Sequence, residues 1–167
     1  MKIIKSDEIG KIIAKQKAEG KKIVFTNGCF DLLHAGHVRY LNKAKKLGDI
    51  LIVGLNSDRS VSRIKPGRPL TPEKQRAEVL SALAAIDYVT IFSEETPLKL
   101  IKKVKPDVLV KGSDWAEGDI VGSDIVKEVR RIPLVKGIST SKIIEKIQRQ
   151  SCKVTKAQSN KVKGDKK

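Results

Sequence analysis

Aromatic residues make up only 4% of this 167-residue chain, with one Trp, two Tyr and three Phe, so there are few rings to serve as base-stacking platforms. Cysteine is as scarce. Cys29 and Cys152 are the only two, and neither sits in a paired CxxC pattern, which argues against a zinc ribbon and against a secreted disulfide framework. No apolar run approaches the roughly 18 residues that a membrane-spanning helix requires. The opening residues, Met1-Lys2-Ile3-Ile4-Lys5-Ser6-Asp7, contain neither an apolar signal core nor a small-residue cleavage site. The expectation is a soluble, cytoplasmic protein with no membrane partner.

What the chain has in excess is positive charge. Its formal net charge of +16 suits a partner carrying several negative charges, either nucleic acid or phosphorylated small molecules. Part of that charge is local: from Lys153 to Lys167 there are six lysines and one aspartate among Gln, Ser, Asn and Gly. Residues 151–167 therefore read as a basic, disordered tail, and such a run is more often a solvated extension than a specific site. The 40% hydrophobic content is enough for one core, which assigns residues 1–150 to a single domain.

Short β-branched runs alternate with longer segments of helical spacing, the pattern of βα units around a parallel sheet. Strands are expected at Lys22–Thr26, Ile50–Leu55, Tyr88–Phe92, Asp107–Lys111 and Ile132–Val135, nearly continuous apolar runs suited to burial on both faces. Helix starts are expected after the capping hydroxyls Ser6, Thr71, Thr96 and Ser139, with Pro72 and Pro97 in the first helical position. A further helix follows His37, with Val38, Leu41, Ala44 and Leu47 facing inward, and it ends near Gly48, read as a residue accepting positive φ. The fold class is α/β, a doubly wound parallel sheet, whose ligands bind beyond the C-terminal strand ends.

The first strand runs into Thr26-Asn27-Gly28-Cys29-Phe30-Asp31-Leu32-Leu33-His34-Ala35-Gly36-His37. Gly28 and Gly36 let backbone approach a ligand, and the helix N-terminus offers free N–H groups to phosphate. His34 and His37, the only histidines, lie three residues apart and can both donate to one phosphate. A metal site with Cys29 and Asp31 is the less economical alternative, and Asp31 suits a buried partner for backbone N–H groups at least as well.

These residues resemble the HxGH nucleotidyltransferases of the cytidylyltransferase-like group. GCFDLLHAGH, YLNKAKKLGD and LIVGLNSD are similar to the branch that acts on heptose 1-phosphate. The basic loop Arg63-Ile64-Lys65-Pro66-Gly67-Arg68-Pro69, the segment Val110-Lys111-Gly112-Ser113-Asp114-Trp115, and Gly137-Ile138-Ser139-Thr140-Ser141-Lys142 match further family motifs in order. The resemblance spans about Ile23 to Ile147 and implies a Rossmann-like domain that transfers AMP from ATP to heptose 1-phosphate for lipopolysaccharide synthesis. Asp114-Trp115 with Glu117-Gly118 is also similar to the cytidylyltransferase version, so transfer of CMP to glycerol 3-phosphate, or of AMP to an acceptor such as FMN, stands as the alternative.

By the same resemblance His34 and His37 are catalytic, contacting phosphates at the reacting phosphorus. Thr26, Asn27, Gly28, Cys29, Phe30 and Gly36 lie against the nucleotide. Gly137, Ile138, Ser139, Thr140 and Ser141 would hold the outer phosphates, although for the hydroxyls alone helix capping is the simpler reading. Lys65, Arg68 and Arg76 are candidates for neutralising phosphate, with solvated loop or helix-surface charges as the plain reading. Lys111 and Asp114 sit at the ligand edge of the sheet, and Trp115 is either a stacking platform or a loop anchor. ATP and magnesium are the expected substrate and cofactor, with no metal ligand assigned. A sugar phosphate, a separate sugar kinase that makes it and a possible homodimer complete the expected partners. A nucleic-acid-binding module resting on the tail is the non-enzymatic alternative, weakened by the lack of aromatics.

Overall fold

A computed structural model describes residues 2–150, so Cys152 and the basic run 153–167 lie outside the described residues. The chain divides into two compact units, Met1–Leu134 and Val135–Lys167. The first holds a five-stranded sheet with β1 at Ile23–Gly28, β2 at Ile50–Asn56, β3 at Tyr88–Phe92, β4 at Val108–Gly112 and β5 at Glu128–Ile132. All neighbours pair in parallel, in the order β3-β2-β1-β4-β5. The order reverses between β1 and β4, and at such a switch point the loops leaving the C-terminal strand ends part to form a crevice.

The helices of this unit are α1 at Ile9–Ala18, α2 at Ala35–Lys45, α3 at Asp58–Ile64, α4 at Glu73–Ser81 and α5 at Leu98–Val104. Successive strand residues point to opposite faces, so each central strand feeds two cores. Val24, Leu51, Val53, Val89, Val108 and Val110 pack with Tyr40, Leu41 and Ala44 of α2 and with Ala77 and Leu80 of α4. Ile23, Phe25, Ile52, Phe92 and Leu109 pack with Ile9 and Ile13 of α1 and with Leu100, Ile101 and Val104 of α5. Neither face of the central strands meets water, which is why they read as unbroken apolar runs.

Three aspartates fasten the N-terminal strand edge. Asp49 accepts from the Lys22 N–H at 2.8 Å, Asp107 from Ile23 at 2.9 Å and Asp87 from Leu51 at 2.7 Å. Each sits just before or at the start of one strand and satisfies a donor beside the strand next to it. The outer edge of β3 is covered by the N-terminal segment, through Ile4 N–H to Val89 O at 2.8 Å and Val89 N–H to Lys2 O at 2.9 Å.

Several expectations need correction. The fifth strand is not Ile132–Val135 but Glu128–Ile132, whose residues other than Ile132 are half-buried or exposed. It is an edge strand, so Glu128, Arg130 and Arg131 are tolerated there, while Pro133 has no N–H to give a ladder. Ser6, Thr71 and Thr96 do not cap: α1, α4 and α5 are preceded by Glu8, Pro72 and Pro97 with no side-chain cap bond, which places both prolines at the cap position rather than the first helical turn. In α2 the inward residues are Gly36, Tyr40, Leu41 and Ala44, whereas Val38 is exposed. Gly48 is needed for close approach rather than for positive φ, since a Cβ there would lie 2.7 Å from Lys22 O. Helix α3 was not expected, although Ser57 caps it by accepting from Ser60 N–H at 3.2 Å.

Candidate active site

At the switch point β1 and β4 run side by side with Thr26 opposite Val110, which brings Asn27 level with Lys111. The Lys111 ammonium donates to Asn27 Oδ1 at 2.6 Å and lies 5.0 Å from the centre of the Trp115 ring. Only 6% of Lys111 is exposed, and burial lowers its pKa to about 8 although Asp114 and Cys29 pull the other way. Asp114 folds back across the strand end: its Oδ1 would lie 2.3 Å from a Cβ on Gly112, so a side chain at that position would displace the Asp114 carboxylate. Trp115 is 46% exposed, available on the surface beside the lysine.

Leaving β1, the chain turns at Gly28, where an added Cβ would press on the Phe30 ring at 3.1 Å. Phe30 itself adopts φ 42°, a left-handed conformation that an aromatic residue holds only when its surroundings impose it. Its ring is buried and meets His37 edge-on, with centroids 5.4 Å apart. His34 then caps α2, its Nδ1 accepting from the His37 N–H at 3.4 Å, and the two imidazoles stack with centroids 3.8 Å apart and planes 16° from parallel.

Two cations so close repel, and burial adds to the cost of charging either ring. Burial, then His34 and Lys65, lower the His37 pKa to about 4; burial also lowers that of His34. Both imidazoles are therefore neutral at pH 7. Because His34 Nδ1 is an acceptor, its proton resides on Nε2, leaving that N–H as the outward donor. His37 Nδ1 is buried without a hydrogen-bond partner among the described residues. An unprotonated nitrogen there avoids stranding a buried donor, which again places the proton on Nε2.

Asp31 and Arg76 are both buried and bonded to the protein itself. Asp31 accepts from Arg68 Nη1 at 2.8 Å and from the N–H groups of Leu70 and Thr71, each at 2.9 Å. Its oxygens are committed to holding the basic loop, which corrects the metal-ligand alternative. Arg76 was read as a phosphate cation or a helix-surface charge, but its side chain is 0% exposed. The guanidinium donates to Thr71 O at 2.9 Å, Asp58 Oδ1 at 2.7 Å and Cys29 O, so it braces the turn after β1. Thr26 is likewise buried, with its hydroxyl paired to the Tyr40 hydroxyl at 2.8 Å.

The cytidylyltransferase-like sequence profile matches residues 25–159. The chain belongs to the cytidylyltransferase-like family. It is 57% identical over 148 residues to a protein named bifunctional protein HldE of Wolinella succinogenes, and 59% identical over 146 residues to the one of Campylobacter concisus. These alignments cover 88% and 87% of this chain but 31% of each relative, so the chain spans about a third of the length of the curated relatives it matches. A crystal structure of the lipopolysaccharide core biosynthesis protein from Thermoplasma volcanium GSS1 superimposes with TM-score 0.60 and 33% identity, covering 71% of this chain and all (100%) of that one. A pantoate-beta-alanine ligase from Francisella tularensis, at TM-score 0.59 and 16% identity, covers 86% of this chain and 75% of its own, and shares the fold alone.

In this cytidylyltransferase-like domain, then, the structure brings together Asn27, Gly28, Cys29, Phe30, His34, Gly36 and His37 along one turn, and pairs Lys111 with Asn27 across it. Lys65 caps the end of α3 and is exposed, near enough to His37 to bear on its charge. Gly137, Ile138, Ser139, Thr140 and Ser141 lie in the second unit. There Gly137 has φ 83°, and Ser139 accepts from Lys142 N–H at 3.2 Å at the start of a helix over residues 140–150, in keeping with the capping role. Sequence reasoning missed Tyr40, Asp58 and the bracing role of Arg76; only Arg76 and Asp58 carried a signal, as opposite charges with no repeat spacing between them.

Among the described residues no three His, Cys, Asp or Glu side chains group to hold a metal. That donor set does not fit a magnesium cage. No helix among the described residues is long and apolar enough to cross a membrane.

Proposed function

We propose that this domain transfers the AMP moiety of ATP to heptose 1-phosphate, giving ADP-heptose and pyrophosphate. A phosphate oxygen of the sugar attacks the α-phosphorus, and the bond from that phosphorus to the pyrophosphate oxygen breaks in line. The observation that carries the reading is the stacked, neutral imidazole pair at the N-terminus of α2. Two Nε2–H donors and a helix N-terminus form a preorganised site for charge developing on the reacting phosphate, and none of them need give up a proton. Lys111 supplies the cation on the other side of the switch point, and Lys65 extends it from the loop after α3. Ser139, Thr140 and Ser141 would take the outer phosphates.

The acceptor is argued from likeness. The Thermoplasma relative is named a lipopolysaccharide core biosynthesis protein, and the HxGH run is similar to the heptose 1-phosphate branch. Magnesium, expected with ATP, would be held by phosphate oxygens and water rather than by a protein cage. A kinase-class reaction must supply the sugar 1-phosphate, and the working particle is proposed to be a homodimer in the cytoplasm.

Pyrophosphate release is measured with heptose 1-phosphate and magnesium, ATP against CTP, with glycerol 3-phosphate replacing the sugar in parallel. Turnover with ATP and the heptose is the expected result. Turnover only with CTP and glycerol phosphate would overturn the substrate assignment and keep the transfer chemistry.

A further inference from the structure

Thr71 is gripped from two sides: its N–H goes to Asp31 and its carbonyl to Arg76, and the same guanidinium takes the Cys29 carbonyl. The neighbouring Leu70 N–H and the Arg68 side chain also end on Asp31. Asp58 anchors the guanidinium from α3, and its own N–H is held by Glu73 at 2.7 Å. The segment 68–71 and the turn 29–31 are thereby locked to each other through a charge network in which Arg76 and Asp31 are buried and Asp58 reaches the surface. The residue between Cys29 and Asp31 is Phe30, whose left-handed backbone would relax without a fixed peptide on either side, and whose ring meets the His37 imidazole edge-on while His34 stacks on that same imidazole.

We propose that Arg76 and Asp31 are positioning residues for nucleotidyl transfer: together they clamp the Cys29–Asp31 turn so that the Phe30 ring sets the orientation of the His37 imidazole. The inference rests on the transfer reading given above. Neither residue touches substrate. Their effect passes from Arg76 to the Cys29 carbonyl, through Phe30, to His37, and a misplacement of about 1 Å along such a path is enough to cost about 100-fold in rate.

The test uses the full chain with Arg76→Lys and, in case that variant does not fold, Asp31→Asn, each checked by circular dichroism. The expected result is a fall in kcat of about tenfold or more with KM for ATP changed by less than about threefold, since the loss is of transition-state geometry. In a His37→Asn background the same substitution should then cost less than about twofold, because residues acting along one path are non-additive. Full additivity would overturn the proposal and leave the network as support for the fold only. An independent readout is the NMR titration of the His37 ring, easily followed in a chain with two histidines. Its midpoint should rise from about 4 in the clamped protein when either variant frees the turn. An unchanged midpoint in a folded variant would also overturn the proposal. If the wild-type chain transfers no nucleotide, the transfer reading fails, while the titration still decides whether the clamp sets His37.

Discussion

At the residue scale, His37 is half-buried and Lys111 buried, and that loss of solvent lowers the pKa of both, which on the proposed reading suits them to meet anions. The imidazole of His37 is pushed down to about 4, so it stays a neutral donor over the whole physiological range. Replacing His37 with Ala should lower kcat by about 100-fold to 1,000-fold, the cost of one preorganised donor at a reacting phosphate, while the circular dichroism spectrum stays that of the wild type. The shift also has a sign in stability. The folded pKa lies below the roughly 6.5 of an unfolded histidine, so this contribution is complete above pH 6.5 and is lost as pH falls toward 4. Urea midpoints measured from pH 7 to pH 4 should therefore fall more steeply for the wild type than for His37→Gln. Lys111 titrates from the other side: lowered to about 8, it gives up its charge in mildly alkaline solution. The kcat/KM for ATP should fall above pH 8, and the limb for kcat should lie higher, because bound phosphate restores the proton. In Lys111→Arg that alkaline limb should disappear, since a guanidinium does not deprotonate there.

At the element scale, legibility followed burial. Strands β1 to β4 were visible because most of their residues are buried and apolar, with polar residues such as Asn27, Asn56 and Lys111 near their C-terminal ends, whereas β5 was displaced toward Ile132–Val135 because an edge strand is free to carry Glu128, Arg130 and Arg131. The signature turn stood out for a different reason: Gly28, Gly36 and the two histidines are residue types that the proposed transfer would call for at that place. Arg76 did not, because a cation that braces backbone carbonyls and a cation that meets phosphate are the same letter in a sequence, and only the contacts separate them; Asp31, by contrast, is the buried partner of backbone N–H groups that its place in the turn suggested. The aspartates at the other sheet edge were equally hidden. Asp87 accepts from Leu51 N–H and from the Lys45 ammonium at 2.5 Å, and its neighbour strand begins on that bond. Asp87→Ala should lower unfolding free energy by about 1–3 kcal/mol, the cost of a stranded donor, yet leave kcat unchanged because the site lies at the opposite strand ends. Denaturant titration paired with a pyrophosphate assay separates the two.

At the scale of the whole molecule, the question is whether positive charge serves the reaction or a polyanion. The formal +16 is spread along the chain, and the six lysines of 153–167 are only part of it. Long-range attraction between a basic surface and a triphosphate raises encounter rate and is screened within about 10 Å at 0.1 M salt. Charge that steers ATP should therefore act through the body of the domain that carries Lys65 and Lys111. Deleting residues 153–167 should then leave kcat unchanged and keep most of the salt dependence of kcat/KM. If the tail serves nucleic acid, the same deletion should flatten the salt dependence of binding to a single-stranded oligonucleotide, whose slope counts the phosphates neutralised. A truncated chain that lost its nucleotidyl transfer would instead place those lysines in the substrate's path.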